Sequence, residues 1–140
     1  MRLYIDTEFN GFGGQLMSMA AVSDDGREWY EVLPLPDKVN PWVAEHVVPL
    51  LDKEPIGEWE FRASLHRFLK QFDRPIIVAD WYTDLAHFFA CFAGRNHSET
   101  FQYECSAELR LIDNIISVRP HNALSDARAI RNHPEMRNAA

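Results

Sequence analysis

Asp24-Asp25-Gly26 sits between two strand-like runs, and this tripeptide limits the fold more than any other local feature. An Asp-Gly pair in that setting is a tight hairpin signal, because such turns need the positive φ that glycine accepts. Gln15 to Ser23 before it is apolar and reads as a buried strand. Arg27 to Leu33 after it reads as the returning strand. Upstream, Leu3 and Ile5 alternate with Tyr4 and Asp6, so Arg2 to Glu8 is a further strand. Asn10 to Gly14, rich in glycine, is the turn that leaves it. The chain therefore opens with a three-stranded meander.

Helical spacing takes over after Pro34, Pro36 and Pro41, which mark a crossing loop. Trp42 to Leu51 includes a short helix. In Glu58 to Phe72, Phe61, Leu65, Phe68, Leu69 and Phe72 recur at intervals of three and four, the apolar stripe of a helix. Arg74-Pro75 stops it, and Ile76 to Ala79 is a short buried strand. Thr83 to Ala93 is a helix ended by Gly94, Phe101 to Cys105 a fifth strand, and Ala123 to Arg131 a last helix that Pro134 interrupts or ends. A meander followed by alternating helices and strands predicts an α/β domain with a mixed five-stranded sheet flanked by helices. One domain over residues 1–140 is expected, with fraying over Arg137 to Ala140.

No apolar run approaches the roughly 20 residues that cross a bilayer, and the opening residues reach Asp6 without the apolar stretch of a signal peptide. Cys91 and Cys105 form no CxxC pair and read as core thiols. A cytoplasmic protein with no membrane partner is the expectation. With 21 acidic against 14 basic residues, the net charge of −7 argues against binding nucleic acid through a broadly basic surface. It leaves room for a site whose carboxylates are neutralised by cations.

Asp6 and Glu8, two apart on the first strand, point to one face, with Thr7 on the other. Two carboxylates so placed repel unless cations intervene, and an all-oxygen donor set suits magnesium or manganese. A pair of exposed strand-end acids would give the same pattern. Asp84 falls in the first turn of a helix that follows a buried strand, where an acid can also serve the helix N-terminus, with Asp80 or Thr83 as cap. Asp126 lies in the first turns of the last helix, which Ala123, Ala127 and Ala129 keep slim for close packing on the sheet. His121, five residues earlier, belongs to the preceding loop, and its ordinary pKa suits proton abstraction near neutrality. Arg128 and Arg131 either meet phosphates or line a solvated helix face. His87, three residues after Asp84, is near enough on the helix to face the site but is not counted among its residues. No HxxxH or HExxH spacing suggests zinc.

Taken together, Asp6-Thr7-Glu8, Asp84, and His121-Asn122-Ala123-Leu124-Ser125-Asp126-Ala127 resemble the DEDDh 3'-5' exonucleases in order, spacing and context. The sister subtype has tyrosine four residues before the final Asp, where this chain has Asn122. Two departures stand out. Phe9-Asn10-Gly11 replaces the common Thr-Gly after the first Glu, and Asp80 replaces a common Asn; both changes are expected to touch substrate contacts and not the metal ligands. The resemblance implies the ribonuclease-H-like fold. It also implies that Asp6, Glu8, Asp84 and Asp126 hold two divalent cations, Mg2+ or Mn2+, and that His121 activates water. The product would be a nucleoside 5'-monophosphate, cut from the 3' end of single-stranded RNA or DNA.

The Asp-Thr-Glu-Phe opening and short length look like a small bacterial or phage exoribonuclease subgroup, which favours RNA. A DNA exonuclease and a non-catalytic nucleic-acid-binding relative are the alternatives. Phe9, Trp81 and Tyr82 are the aromatic candidates for stacking on terminal bases, with core packing as the other reading. Relatives of this size often pair as homodimers, although no motif of this chain specifies one.

Overall fold

The computed structural model describes residues 1–137. Strands β1 (Arg2–Phe9), β2 (Leu16–Ser23), β3 (Glu28–Val32), β4 (Ile76–Ala79) and β5 (Ser106–Leu109) form one sheet in the order β3-β2-β1-β4-β5. Helices α1 (Pro41–His46), α2 (Glu58–Leu69), α3 (Tyr82–Ala90), α4 (Ala123–Asn132) and α5 (Pro134–Arg137) complete the fold, with short 3-10 turns at Val48–Leu50 and His97–Glu99. β1, β2 and β3 run antiparallel, whereas β1, β4 and β5 run parallel. This mixed sheet flanked by helices is consistent with the ribonuclease-H-like fold.

The hairpin forms at Asp24-Asp25-Gly26. Gly26 has φ +90° and donates its N–H to Ser23 O at 3.0 Å, closing the turn. The pleat of β1 then divides the core. Leu3 and Ile5 face α2 and α3, where they join Phe61, Leu65, Leu69 and Phe88. Tyr4 faces the other side, with Val78 and Ile130 of α4. Ala123 and Ala127 are fully buried against Ala20 and Val22, so the slim face of α4 does lie close on the sheet; Ala129 is only half-buried. Pro134 ends α4 and opens the short α5. Of the segment expected to fray, Arg137 closes α5 and residues 138–140 lie outside the described residues.

One strand lies elsewhere than expected. Phe101 to Cys105 is not in the sheet, and β5 is the polar Ser106–Leu109 that follows it. The alternating Phe101 and Tyr103 reflect burial, not pairing. Phe101 stacks on His66 at 3.9 Å, and the Tyr103 hydroxyl donates to Leu69 O and Phe72 O. Thus an apolar period of two here marks a coil lying along helices. Cys91 is a buried free thiol and Cys105 a half-buried one. No helix among the described residues is long and apolar enough to cross a membrane.

Phe61 is the largest fully buried side chain on the α2 face, packed edge-on to Trp29 at 5.3 Å. Phe61→Ala is expected to cost about 3–5 kcal/mol, because the rigid sheet behind it cannot collapse into the space. A urea melt checks this, and a loss under about 1 kcal/mol would place the main core elsewhere.

Candidate metal centre and nucleic-acid cleft

The acids converge at the carboxyl ends of two parallel strands, where open α/β sheets commonly bind ligands. The β1–β4 register pairs Tyr4 with Val78; carried on, it sets Asp6 level with Asp80. Asp6 and Glu8 leave β1 on the α4 side. Thr7 leaves on the α3 side, and its hydroxyl donates to Asp84 Oδ1 at 2.5 Å. Asp84 itself is buried in the first turn of α3. It is therefore aimed by a strand residue and not spent on capping the helix, whose N-cap, Trp81, makes no side-chain cap hydrogen bond.

α4 brings the remaining groups. Asn122 caps it by accepting from Ser125 N–H at 3.0 Å, and its amide donates to Leu50 O at 2.8 Å. His121, just before the cap, has φ +68° and donates its backbone N–H to Asp126 Oδ2 at 3.0 Å. The other Asp126 oxygen is buried without a partner, and so is Asp6 Oδ2.

Two triads result. Carboxylate oxygens of Asp6, Glu8 and Asp126 lie within 4.8 Å of one another, as do those of Asp6, Asp80 and Asp84. Asp6 belongs to both. The structure gathers Asp6, Glu8, Asp84 and Asp126, the four acids expected as ligands, at one end of the sheet, together with Asp80, expected as a cap or substrate contact. Its carboxylate instead completes the second triad. Asp80 follows β4 directly, and β4 runs parallel to the strand that carries Asp6, a pairing that only the fold reveals.

Burial, followed by the neighbouring carboxylates, holds Asp6 well above its ordinary pKa. The same causes raise Glu8 to about 8, with Asp126 as its first charged neighbour. Asp84 is raised to about 7 by burial, against the opposing pull of the Thr7 hydrogen bond. Burial also raises Asp80 and Asp126. Orphaned buried oxygens, like charges a few ångströms apart and an all-oxygen donor set together fit hard divalent cations.

The cleft around the acids encloses about 670 Å³. Of the three aromatic candidates, Phe9 and Trp81 line it, whereas Tyr82 is absent from its wall and packs against Trp81 at 4.9 Å. Phe12 and Trp42, not singled out in the sequence, also line it and are 90% and 51% exposed. His121 stands at the same cleft, 5.2 Å from Trp42. No Lys or Arg appears among the described lining residues. Arg128 is committed to Glu28 through two hydrogen bonds of 2.7 and 2.6 Å, and Arg131 donates to Asp24 O. Those two arginines thus stabilise the fold's edge. His87 packs against Phe9 at 5.2 Å, outside the carboxylate cluster. A larger groove of about 880 Å³ runs beside α4, but its Lys53, Arg119 and Arg128 are paired with Glu31, Asp52 and Glu28.

No protein-family model matches the chain. Two curated proteins, each named a 3'-5' exoribonuclease and each from a strain of Mycobacterium tuberculosis, are 36% identical to it over 78 residues. That stretch is 53% of this chain and 46% of each relative, so the chain spans about half the length of the curated relatives it matches. The chain is thus similar to 3'-5' exoribonucleases over part of its length.

Proposed function

We propose that this protein is a divalent-cation-dependent 3'-5' exonuclease of the DEDDh type that shortens single-stranded RNA to nucleoside 5'-monophosphates. The observation that carries this reading is the pair of carboxylate triads sharing Asp6, with His121 lining the same cleft. Asp6, Glu8 and Asp126 would hold one cation; Asp6, Asp84 and Asp80 the other. When bound, the two ions supply Lewis acidity, easing formation of the nucleophile and offsetting charge on the leaving 3'-oxygen.

The chain's own groups do the rest. An imidazole nitrogen of His121 accepts the proton of the attacking water. The Asp126 carboxylate fixes the backbone from which that imidazole projects. The Thr7 hydroxyl holds one Asp84 oxygen, leaving the other free for a cation. Phe9 and Trp81, joined by Phe12 and Trp42, offer flat faces to unpaired bases, which stack without sequence preference. With five carboxylates and no described Lys or Arg lining the cleft, an anionic strand can enter only with cations present. The preference for RNA and the 3' polarity rest on the exoribonuclease relatives.

Digestion of 5'-labelled single-stranded RNA and matched DNA, with Mn2+, Mg2+ or EDTA, tests the proposal. A ladder shortening from the 3' end, lost in EDTA, is expected, with RNA the faster substrate. Intact RNA under every metal condition, from a folded protein, would refute it. In the same assay His121→Ala is expected to lower kcat about a hundredfold, the lower end for loss of a general base, because solvent reaches this exposed site. Undiminished kcat would remove His121 from the chemistry.

A further inference from the structure

The segment carrying α1 lines the cleft through Asn40, Trp42, Val43 and Val47 and is tied down at both ends by asparagines. At one end, Asn10 accepts from Asn40 N–H at 2.7 Å and donates to Lys38 O at 2.8 Å. Asn40 in turn caps α1, accepting from Trp42 N–H at 2.9 Å. At the other end, the Asn122 amide donates to Leu50 O, and Asn122 directly follows His121. Val43 and Val47, both buried, hold the span between. Trp42 and His121 are therefore brought side by side by two separate anchors.

Their rings are perpendicular, at 86°, with centres 5.2 Å apart. Trp42 is itself braced. It stacks on His46 at 4.6 Å and 15°, and His46 Nδ1 lies 2.9 Å from Trp42 O. The backbone of His121 is fixed by its left-handed φ and by its N–H donation to Asp126. The residue is nonetheless exposed, so a ring contact is needed to select among the staggered rotamers of its side chain.

We propose that Trp42 is a positioning residue that holds the His121 imidazole over the carboxylate cluster. The proposal rests on His121 being the proton acceptor, as argued above. A perpendicular aromatic contact shifts a rotamer population by about two- to tenfold. Small displacements of a reacting group have large effects on rate. The exposed part of Trp42 remains available to a nucleobase, so losing the ring would raise KM as well as lower kcat.

A double-mutant cycle on the full chain, with 5'-labelled RNA and Mn2+, separates the two effects. Trp42→Leu is expected to lower kcat about fivefold in the wild-type background. In the His121→Ala background its effect on kcat should vanish while its effect on KM persists. Trp42→Phe should recover most of the kcat. A proton spectrum gives a readout independent of activity. The His121 ring resonance, identified by its loss in His121→Ala, should be displaced by the indole and return to the position of a free histidine in Trp42→Leu.

Equal losses of kcat in both backgrounds, or a resonance unmoved by Trp42→Leu, would overturn the positioning role while leaving an active exonuclease. A wild-type chain inert under every metal condition would overturn the exonuclease reading and this role with it, and the spectrum would then report a contact without catalytic meaning.

Discussion

Asp6→Asn is expected to lower turnover by at least about ten-thousandfold and, in the same protein, to raise the melting temperature of the metal-free fold. Asp6 is shared by both carboxylate triads, so its loss weakens both cation sites together. Each ion is worth several kcal/mol of transition-state stabilisation, and about 5.5 kcal/mol corresponds to that loss of rate. The stability change has the opposite sign. Asp6 has a buried oxygen without a partner and is crowded by Asp84, Glu8, Asp126 and Asp80. Asn cannot ionise, so the variant is spared the cost of keeping protonated in the fold an acid that the unfolded chain ionises, a gain on the order of 1–2 kcal/mol near pH 8. Loss of activity with a gain in apo stability is what a ligand under electrostatic strain gives, whereas a residue that merely supports the fold would lose both. RNA digestion and a thermal melt with and without Mn2+ decide the matter. A variant retaining a tenth of the activity would break the two-triad assignment.

That such a residue could be named from the sequence depends on how local the information is. Asp6 and Glu8 share a face because strand geometry dictates it, and Asp84 and Asp126 sit in first helical turns that local patterns locate. Asp80 was harder to place. Its role depends on β4 lying parallel beside β1, a long-range pairing that a local pattern does not encode. Trp42 and Phe12 were passed over for a similar reason. They lie in the α1 segment and in the Asn10–Gly14 turn, and only the tertiary ties through Asn10 and Asn122 bring the former to the cleft. The misplaced fifth strand has a different cause. Phe101 and Tyr103 carry the stronger local signal, yet the sheet edge is formed by Ser106–Leu109, whose mostly exposed residues give no apolar pattern to follow.

The same crowding predicts how stability should vary with pH. Glu8, at about 8, and Asp84, at about 7, are protonated in the folded protein well above the pH at which an unfolded chain ionises them, and Asp6 is also held well above its ordinary value, first by burial. A raised folded pKa contributes stability that is complete below the unfolded value and is lost as pH rises through the folded one. The metal-free protein should therefore weaken as pH increases. Two other sets of groups define the useful window. Asp25 and Glu28 are held low by hydrogen bonds from Arg27 and Arg128, so their stabilising ionisation is complete by pH 5. His66 and His87, lowered by burial, act in the opposite sense only below about pH 6.5. Between pH 6.5 and 8 the carboxylate cluster dominates. With about one or two more protons bound by the folded than by the unfolded chain across that span, the loss is on the order of 3 kcal/mol, or about 10 °C in melting temperature. Saturating Mn2+ should reverse the trend, because cations bind the ionised cluster and displace its protons, and ion at a hundred times its Kd adds about 2.7 kcal/mol. The gap between melting curves with and without Mn2+ should thus be narrow at pH 5 and widest at pH 8. In Asp6→Asn both the apo slope and the gap should shrink together. A metal-free profile flat from pH 6.5 to 8, or a Mn2+ effect independent of pH, would mean that these carboxylates are not strained in the fold and are not the ligands.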